Sequence, residues 1–228
     1  LVTAEDMFSH RVSILTGHYG TGKTEVSVNL ALALAAEGEQ VMLADLDIVN
    51  PYFRSRERRP LLEKAGVRVI SSSQACSDAD VPALPAELLT ILENREIRGI
   101  LDIGGDPVGA RVLARFQPKI VQEDYQLIFV LNANRPEVRD AESAAAYLRS
   151  IEAVTGLTCS GLVNNTHLCG ETTPAEIRKG AALAQEVSRQ TGIPILCHTA
   201  ERRFLESLSD LGEPVFPIAI NMKKPWER

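Results

Sequence analysis

The sequence predicts an α/β fold: a doubly wound, mostly parallel sheet of about seven strands with helices on both faces. Three observations lead there. Short apolar runs alternate with longer segments of helical period, the runs are apolar on consecutive residues instead of alternate ones, and no repeat or low-complexity linker divides the 228 residues. Strands covered by helices on both faces lose the in–out alternation of a half-solvated sheet, which is why their runs are continuous. One domain over 1–228 is expected, long enough to bury a full core without disulfide or metal staples.

In chain order, the strand candidates are Val12 to Leu15, Val41 to Ala44, Val67 to Ile70, Ile100 to Ile103, Leu127 to Leu131, Ser160 to Val163 and Ile193 to Cys197. Between them, helices are expected over 23–37, 86–95, 109–122, 137–155, 175–190 and 201–210. The first carries Val26, Leu30, Ala33 and Leu34 on one face, with Gly38 where a helix stops. Pro136 and Pro174 stand near helix starts, where a missing N–H costs nothing. Right-handed crossovers between parallel strands follow.

Thirty acidic side chains against 24 basic ones give a formal charge of −6, which argues against general nucleic-acid binding. No apolar run reaches the length of a membrane span and no secretory pattern opens the chain, so a cytoplasmic location is expected, without a stable membrane anchor. The tail from Phe216 to Arg228 shows no amphipathic stretch, although Lys223, Lys224 and Trp226 offer charge and an indole ring. Cys76, Cys159, Cys169 and Cys197 form no C-x-x-C pair and read as reduced, mostly buried thiols. His167 with Cys169, or Cys197 with His198, lacks the second pair a metal site requires.

The chemistry begins after the first strand. Gly17-His18-Tyr19-Gly20-Thr21-Gly22-Lys23-Thr24 matches G-x-x-x-x-G-K-[ST] without a gap. Glycines let the backbone curl so that successive N–H groups face phosphate oxygens, and the helix beginning near Lys23 adds the positive end of its dipole. Lys23 supplies a cation for the β- and γ-phosphates, and the Thr24 hydroxyl a ligand for Mg²⁺. Glu25, the next residue of that helix, is counted among the nucleotide contacts. The expected ligands are ATP or ADP with Mg²⁺.

Two more strands run into carboxylates, Asp45-Leu46-Asp47 and Asp102-Ile103-Gly104-Gly105-Asp106. A carboxylate at the tip of a buried strand is costly unless a cation or water answers it. Asp102 reads as the acid that holds Mg²⁺ or one of its waters. Asp45 reads as facing the metal shell, or as a hydrated turn residue, and Asp47 as orienting the attacking water. Gly105 would let the backbone approach the γ-phosphate. Asp106 is open between a role in the site and a helix N-cap.

With these elements in place, the chain resembles the MinD/ParA/CobQ-like branch, or SIMIBI class, of P-loop ATPases over nearly its whole length. GHYGTGKTEVSVNLALALAAEGEQVMLADLD follows that family's opening. LDIGGD stands at its Walker B strand, and PEVRDAESAAAYL, GLVNN and TGIPIL are similar to its later segments. The resemblance implies ATP in preference to GTP, adenine contact by Asn164 (otherwise a turn residue), and a loop from His198 to Arg202 flanking the base. It also implies a protein partner and a homodimer. The family's lysine directly after the first glycine is His18 here, followed by Tyr19 in place of a second glycine. That leaves dimerisation driven by ATP open.

Residues 50–59 bring four arginines, Arg54, Arg56, Arg58 and Arg59, to where a switch loop should follow Asp47. Arg54 or Arg56 reads as an arginine finger, a docking contact or one end of a solvated basic helix. Residues 71–85 form a second loop, assigned to substrate or partner selection. The preferred reading is a nucleotide-state switch that hydrolyses ATP and controls a partner protein. The alternative is an ATP-dependent ligase or kinase resembling the dethiobiotin and cobyrinate amide synthetases, and the third a nucleotide-binding module without turnover.

Overall fold

The computed structural model describes residues 3–47, 58–71 and 86–222. Eight strands form one sheet: β1 Val12–Thr16, β2 Val41–Leu46, β3 Arg68–Ser71, β4 Arg98–Ile103, β5 Tyr125–Leu131, β6 Cys159–Asn164, β7 Ile195–Glu201 and β8 Val215–Ile218. Their order is β3-β2-β4-β1-β5-β6-β7-β8, and every neighbouring pair is parallel. Parallel neighbours require crossovers. α1 Ala4–Met7 precedes β1, and the crossovers up to β7 carry α2 Lys23–Ala36, α3 Arg59–Lys64, α4 Ala86–Glu93, α5 Pro107–Ala110, α6 Gln117–Ile120, α7 Ala141–Thr155 and α8 Pro174–Thr191.

The continuous apolar strands bury residues on both faces. One layer packs α4, α7 and α8 through Leu88, Ile91, Leu148, Leu183 and Val187 onto Val12, Ile14, Leu101, Leu127 and Phe129. The other packs α1, α2 and α3 through Met7, Val26, Leu30, Leu34 and Leu62 onto Leu15, Leu43, Ile100, Ile128 and Val130.

Eight strands stand where about seven were expected. The additional one, β8, contains Pro217 and lies at the sheet edge, where a missing N–H does no harm; its prolines masked it in the sequence. The helix expected over 109–122 is instead α5, a 3₁₀ stretch over Arg111–Arg115, and α6, because Pro118 removes an amide and crowds the preceding turn. Residues 201–210 form only short 3₁₀ turns, Arg202–Phe204 and Glu206–Leu208. There the Ser207 and Ser209 hydroxyls donate to carbonyls three residues back, an alternative to helical pairing. Residues 137–155 divide into a 3₁₀ turn at Pro136–Val138 and α7, whose N-cap is Asp140.

Candidate functional site

β1 ends at Thr16, and the chain then turns through Gly17, Gly20 and Gly22, all with positive φ (138°, 75° and 86°). A side chain at any of them would also collide. A Cβ on Gly17 would lie 2.4 Å from the Val130 carbonyl oxygen, and one on Gly22 2.2 Å from Asn165 Nδ2. The Thr21 hydroxyl and amide both donate to the His18 carbonyl, at 2.9 and 3.2 Å, and close the loop. Gly22 caps α2 without any side-chain bond, so the first amides of a fourteen-residue helix remain for an anion.

Lys23, the first residue of α2, is buried, and its Nζ donates to the His18 carbonyl at 3.3 Å. Burial lowers its pKa, while the charges of Asp102, Asp47 and Asp106 pull it back up. The sheet register explains that convergence. Asp102 on β4 pairs with Leu15 on β1 and with Asp45 on β2, so two neighbouring strand ends deliver their carboxylates beside the end of β1. Asp102 is 1% exposed, and neither carboxylate oxygen has a well-formed hydrogen bond among the described residues. Burial raises its pKa far above the carboxylate range, and the Asp45 charge adds to the rise. Lys23 and the Thr24 hydroxyl oppose both.

Gly105 follows Asp102 by three residues and lies against the loop. A Cβ on it would be 2.6 Å from Lys23 Nζ and 2.9 Å from the Tyr19 amide nitrogen. Gly105 is therefore packed so closely on these two donors that not even a methyl group fits between them. Asp106 accepts from the Gly109 amide at 2.8 Å and caps α5; its charge also reaches Lys23. Asp47 is buried, its amide donates to Asp45 Oδ1 at 3.3 Å, and its carboxylate lies near the turn at Gly104.

Other expected residues are placed differently. Asn164 is fully buried: its amide nitrogen donates to the Ile177 carbonyl and His198 Nδ1, and its oxygen accepts from the Thr166 amide. Its side chain is therefore occupied away from the loop. The neighbour that reaches the loop is Asn165, whose Nδ2 donates to the Thr21 carbonyl at 2.8 Å while its Oδ1 accepts from Thr199. Glu25 also turns away. Its carboxylate accepts from the Asn221 and Met222 amides and from Asn29, and burial raises its pKa. His18 packs its ring edge-on to Tyr147, centroids 4.9 Å apart, with Glu137 3.8 Å from its Nδ1, and Tyr19 is 52% exposed.

Long-range partners gave no sequence signal. Arg135, from the loop after β5, donates through Nε to the Gly20 carbonyl at 2.7 Å, and Tyr147 donates to the Gly105 carbonyl. Arg54, Arg56, the loop over 72–85 and the tail at Lys223, Lys224 and Trp226 lie outside the described residues. His167 and Cys169 approach to 3.8 Å, and no group of three or more His, Cys, Asp or Glu suited to a metal occurs among the described residues. No described helix is long and apolar enough to cross a membrane.

Comparison with known proteins agrees with this geometry. A ParA family model described as the NUBPL iron-transfer P-loop NTPase matches residues 7–55. The septum site-determining protein MinD of Helicobacter pylori is 24% identical over 95% of this chain and 87% of its own length. The cytosolic Fe-S cluster assembly factor cfd1 of Emericella nidulans is 36% identical over 42% of this chain, a stretch that spans only 26% of that factor. The iron-sulfur cluster carrier protein of Escherichia coli is 50% identical over 40 residues, 18% of this chain and 11% of the carrier. Among solved structures, the cell division protein FtsY of Thermotoga maritima superposes with a TM-score of 0.56 at 23% identity. It covers 81% of this chain and 59% of FtsY, a likeness of fold alone. The glycine-built loop and these likenesses point the same way: the chain has the fold of a P-loop NTPase and resembles the MinD/ParA type.

Proposed function

We propose that the chain binds Mg·ATP, hydrolyses it, and uses the change from ATP to ADP to control a partner protein in the cytoplasm. The observation that carries this reading is the buried Asp102 carboxylate, without a well-formed hydrogen bond among the described residues, beside Lys23 and Thr24. The charges of Asp102, Asp47 and Asp106 all reach Lys23, so acid groups converge on this point. The buried Asp102 carboxylate suits a divalent ion. Mg²⁺ commonly takes one or two carboxylates, with phosphate oxygens and waters completing its shell, so a three-ligand protein cluster is not required. Thr24 and Asp102 would hold it, with Asp45 toward its water shell. Once bound, the ion would neutralise charge on the phosphoryl group.

The chain's own groups do the rest. Lys23 and the loop amides bind the phosphate tail, Asp47 orients the attacking water, and Gly105 faces the terminal phosphate. Asn165 replaces Asn164 as the residue on the base side of the loop.

The relatives named as iron-sulfur carriers raise the question of a cluster. Cluster ligands must be accessible thiolates. Cys159 and Cys197 are buried, which pushes the first thiol up to about 12 and the second higher still, and Cys169 has no cysteine partner among the described residues. Those thiols do not fit a cluster.

The test is incubation with Mg·ATP alone. Release of ADP and free phosphate is expected, and Lys23→Ala should lose nucleotide binding. Asp47→Asn should keep binding and lose about a hundredfold in turnover, the lower end for a positioned proton acceptor. Phosphate transfer that appears only after a metabolite pool is added would replace the switch with the ligase or kinase reading.

A further inference from the structure

One side chain touches both segments that border the place of the terminal phosphate. Tyr147, on α7, packs its ring against His18 of the phosphate loop, and its hydroxyl donates to the carbonyl of Gly105, which follows the Asp102 strand. The ring is also tilted against Phe129, 6.4 Å away in the core, so its position is fixed from behind. Burial first, then the Asp106 and Glu137 charges, push the phenol up to about 12, so it remains a donor at any physiological pH.

What the hydroxyl holds in place has a steric consequence. The point one bond beyond Gly105 Cα lies 2.6 Å from Lys23 Nζ, 2.9 Å from the Tyr19 amide and 3.0 Å from the Gly17 carbonyl. A phosphate oxygen bridging the ammonium and the amide there would stand at bonding distance from Gly105 Cα, inside its van der Waals radius. A terminal phosphate oxygen placed between Gly105 and those two donors therefore requires Gly105 to draw back. A diphosphate, one group shorter, makes no such demand. Gly104 has little room to follow toward α5, since even a Cβ added to it would lie 2.8 Å from Gly109 Cα. The retreat must strain or break the bond to Tyr147.

We infer that Tyr147 is a specificity-determining residue that holds Gly105 against the phosphate loop and so biases the site toward nucleoside diphosphate over triphosphate. The inference rests on residues 17–24 being a phosphate cradle. The experiment measures the affinities of the full chain for Mg·ADP and for a non-hydrolysable Mg·ATP analogue, by calorimetry, in wild type and Tyr147→Phe. The substitution keeps the ring contact with His18 and removes the hydroxyl. The analogue is expected to bind about fivefold tighter, the worth of one hydrogen bond, with ADP affinity unchanged within twofold. Tyr147→Leu, which also releases His18, should shift the ratio in the same direction and stands in if the phenylalanine variant unfolds. An unchanged ratio, a ratio moved toward ADP, or a parallel loss for both nucleotides would overturn the inference while leaving the cradle intact. Failure of the wild type to bind ADP at all would overturn the cradle as well.

Discussion

The imidazole of His167 packs against the phosphate loop, its Nε2 3.0 Å from where a Cβ on Gly22 would be. Nδ1 accepts from the Cys169 amide at 3.2 Å, which puts the proton on Nε2, buried without a hydrogen-bond partner among the described residues. Burial, and then the Arg135 charge, hold its pKa down to about 4. An unfolded chain takes up this proton near pH 6.5 and the folded one only near 4, so stability is complete above 6.5 and declines as pH falls between those values. From pH 7 to pH 5 the wild type should lose about 2 kcal/mol that His167→Gln does not. Urea unfolding of both proteins at the two pH values checks it, and parallel losses would show that the imidazole titrates normally. The glycines of this loop were legible in the sequence because their backbone shape admits few other residues. Asn165 was not. Two asparagines stand together at the end of β6, and strand alternation sends only one toward the loop. Which one depends on register shifts between Leu127 and Ile128 and between Leu162 and Val163, which no local pattern records.

α2 shows how an element can be read correctly and its surroundings missed. Its apolar period predicted the helix, yet Glu25, Ser27 and Asn29 are buried as well. Glu25 and Asn29, four residues apart on one face, are covered by the chain leaving β8. Asn29 Oδ1 accepts from the Ala219 amide at 2.8 Å, and its Nδ2 donates to the Ala219 carbonyl at 2.9 Å, a two-way imitation of strand pairing. Glu25 continues the seam with the Asn221 and Met222 amides. Sequence reading gave Glu25 to the nucleotide because it follows the loop directly. Its partners lie almost two hundred residues away, beyond the reach of any periodicity. Asn29→Ala would remove the partner of the Ala219 amide and one of the two donors to its carbonyl, the other being Asn221 Nδ2 at 3.1 Å, and each lost bond is worth about 0.5–1.5 kcal/mol. A loss of about 2 kcal/mol in urea unfolding is expected, whereas Asn221→Ala, which leaves the backbone bonds to Glu25 in place, should lose under 1 kcal/mol. Equal losses would mean that the seam contributes through packing alone.

At the scale of the molecule, the site lies where the sheet is most central. β1 is flanked by β4 and β5, the chain leaves it toward β2 on one side and later returns to β5 on the other, and the crevice opens at the carboxyl ends where those paths part. Hence the strand-end acids were legible once a parallel sheet was assumed, while Tyr147 and Arg135, brought in by other elements, were not. Because loop, Asp45, Asp102 and Gly105 come from three adjacent strands, a ligand gripping them ties the middle of the sheet together and should stabilise the whole fold. Mg·ADP at a hundredfold excess over its dissociation constant should add about 2.7 kcal/mol. For a chain of this size that raises the melting temperature by roughly 5–10 °C. Lys23→Ala should abolish the rise, and chelation of Mg²⁺ should reduce it. A rise that persists in Lys23→Ala would place the nucleotide elsewhere, and one indifferent to chelation would remove Asp102 from metal binding.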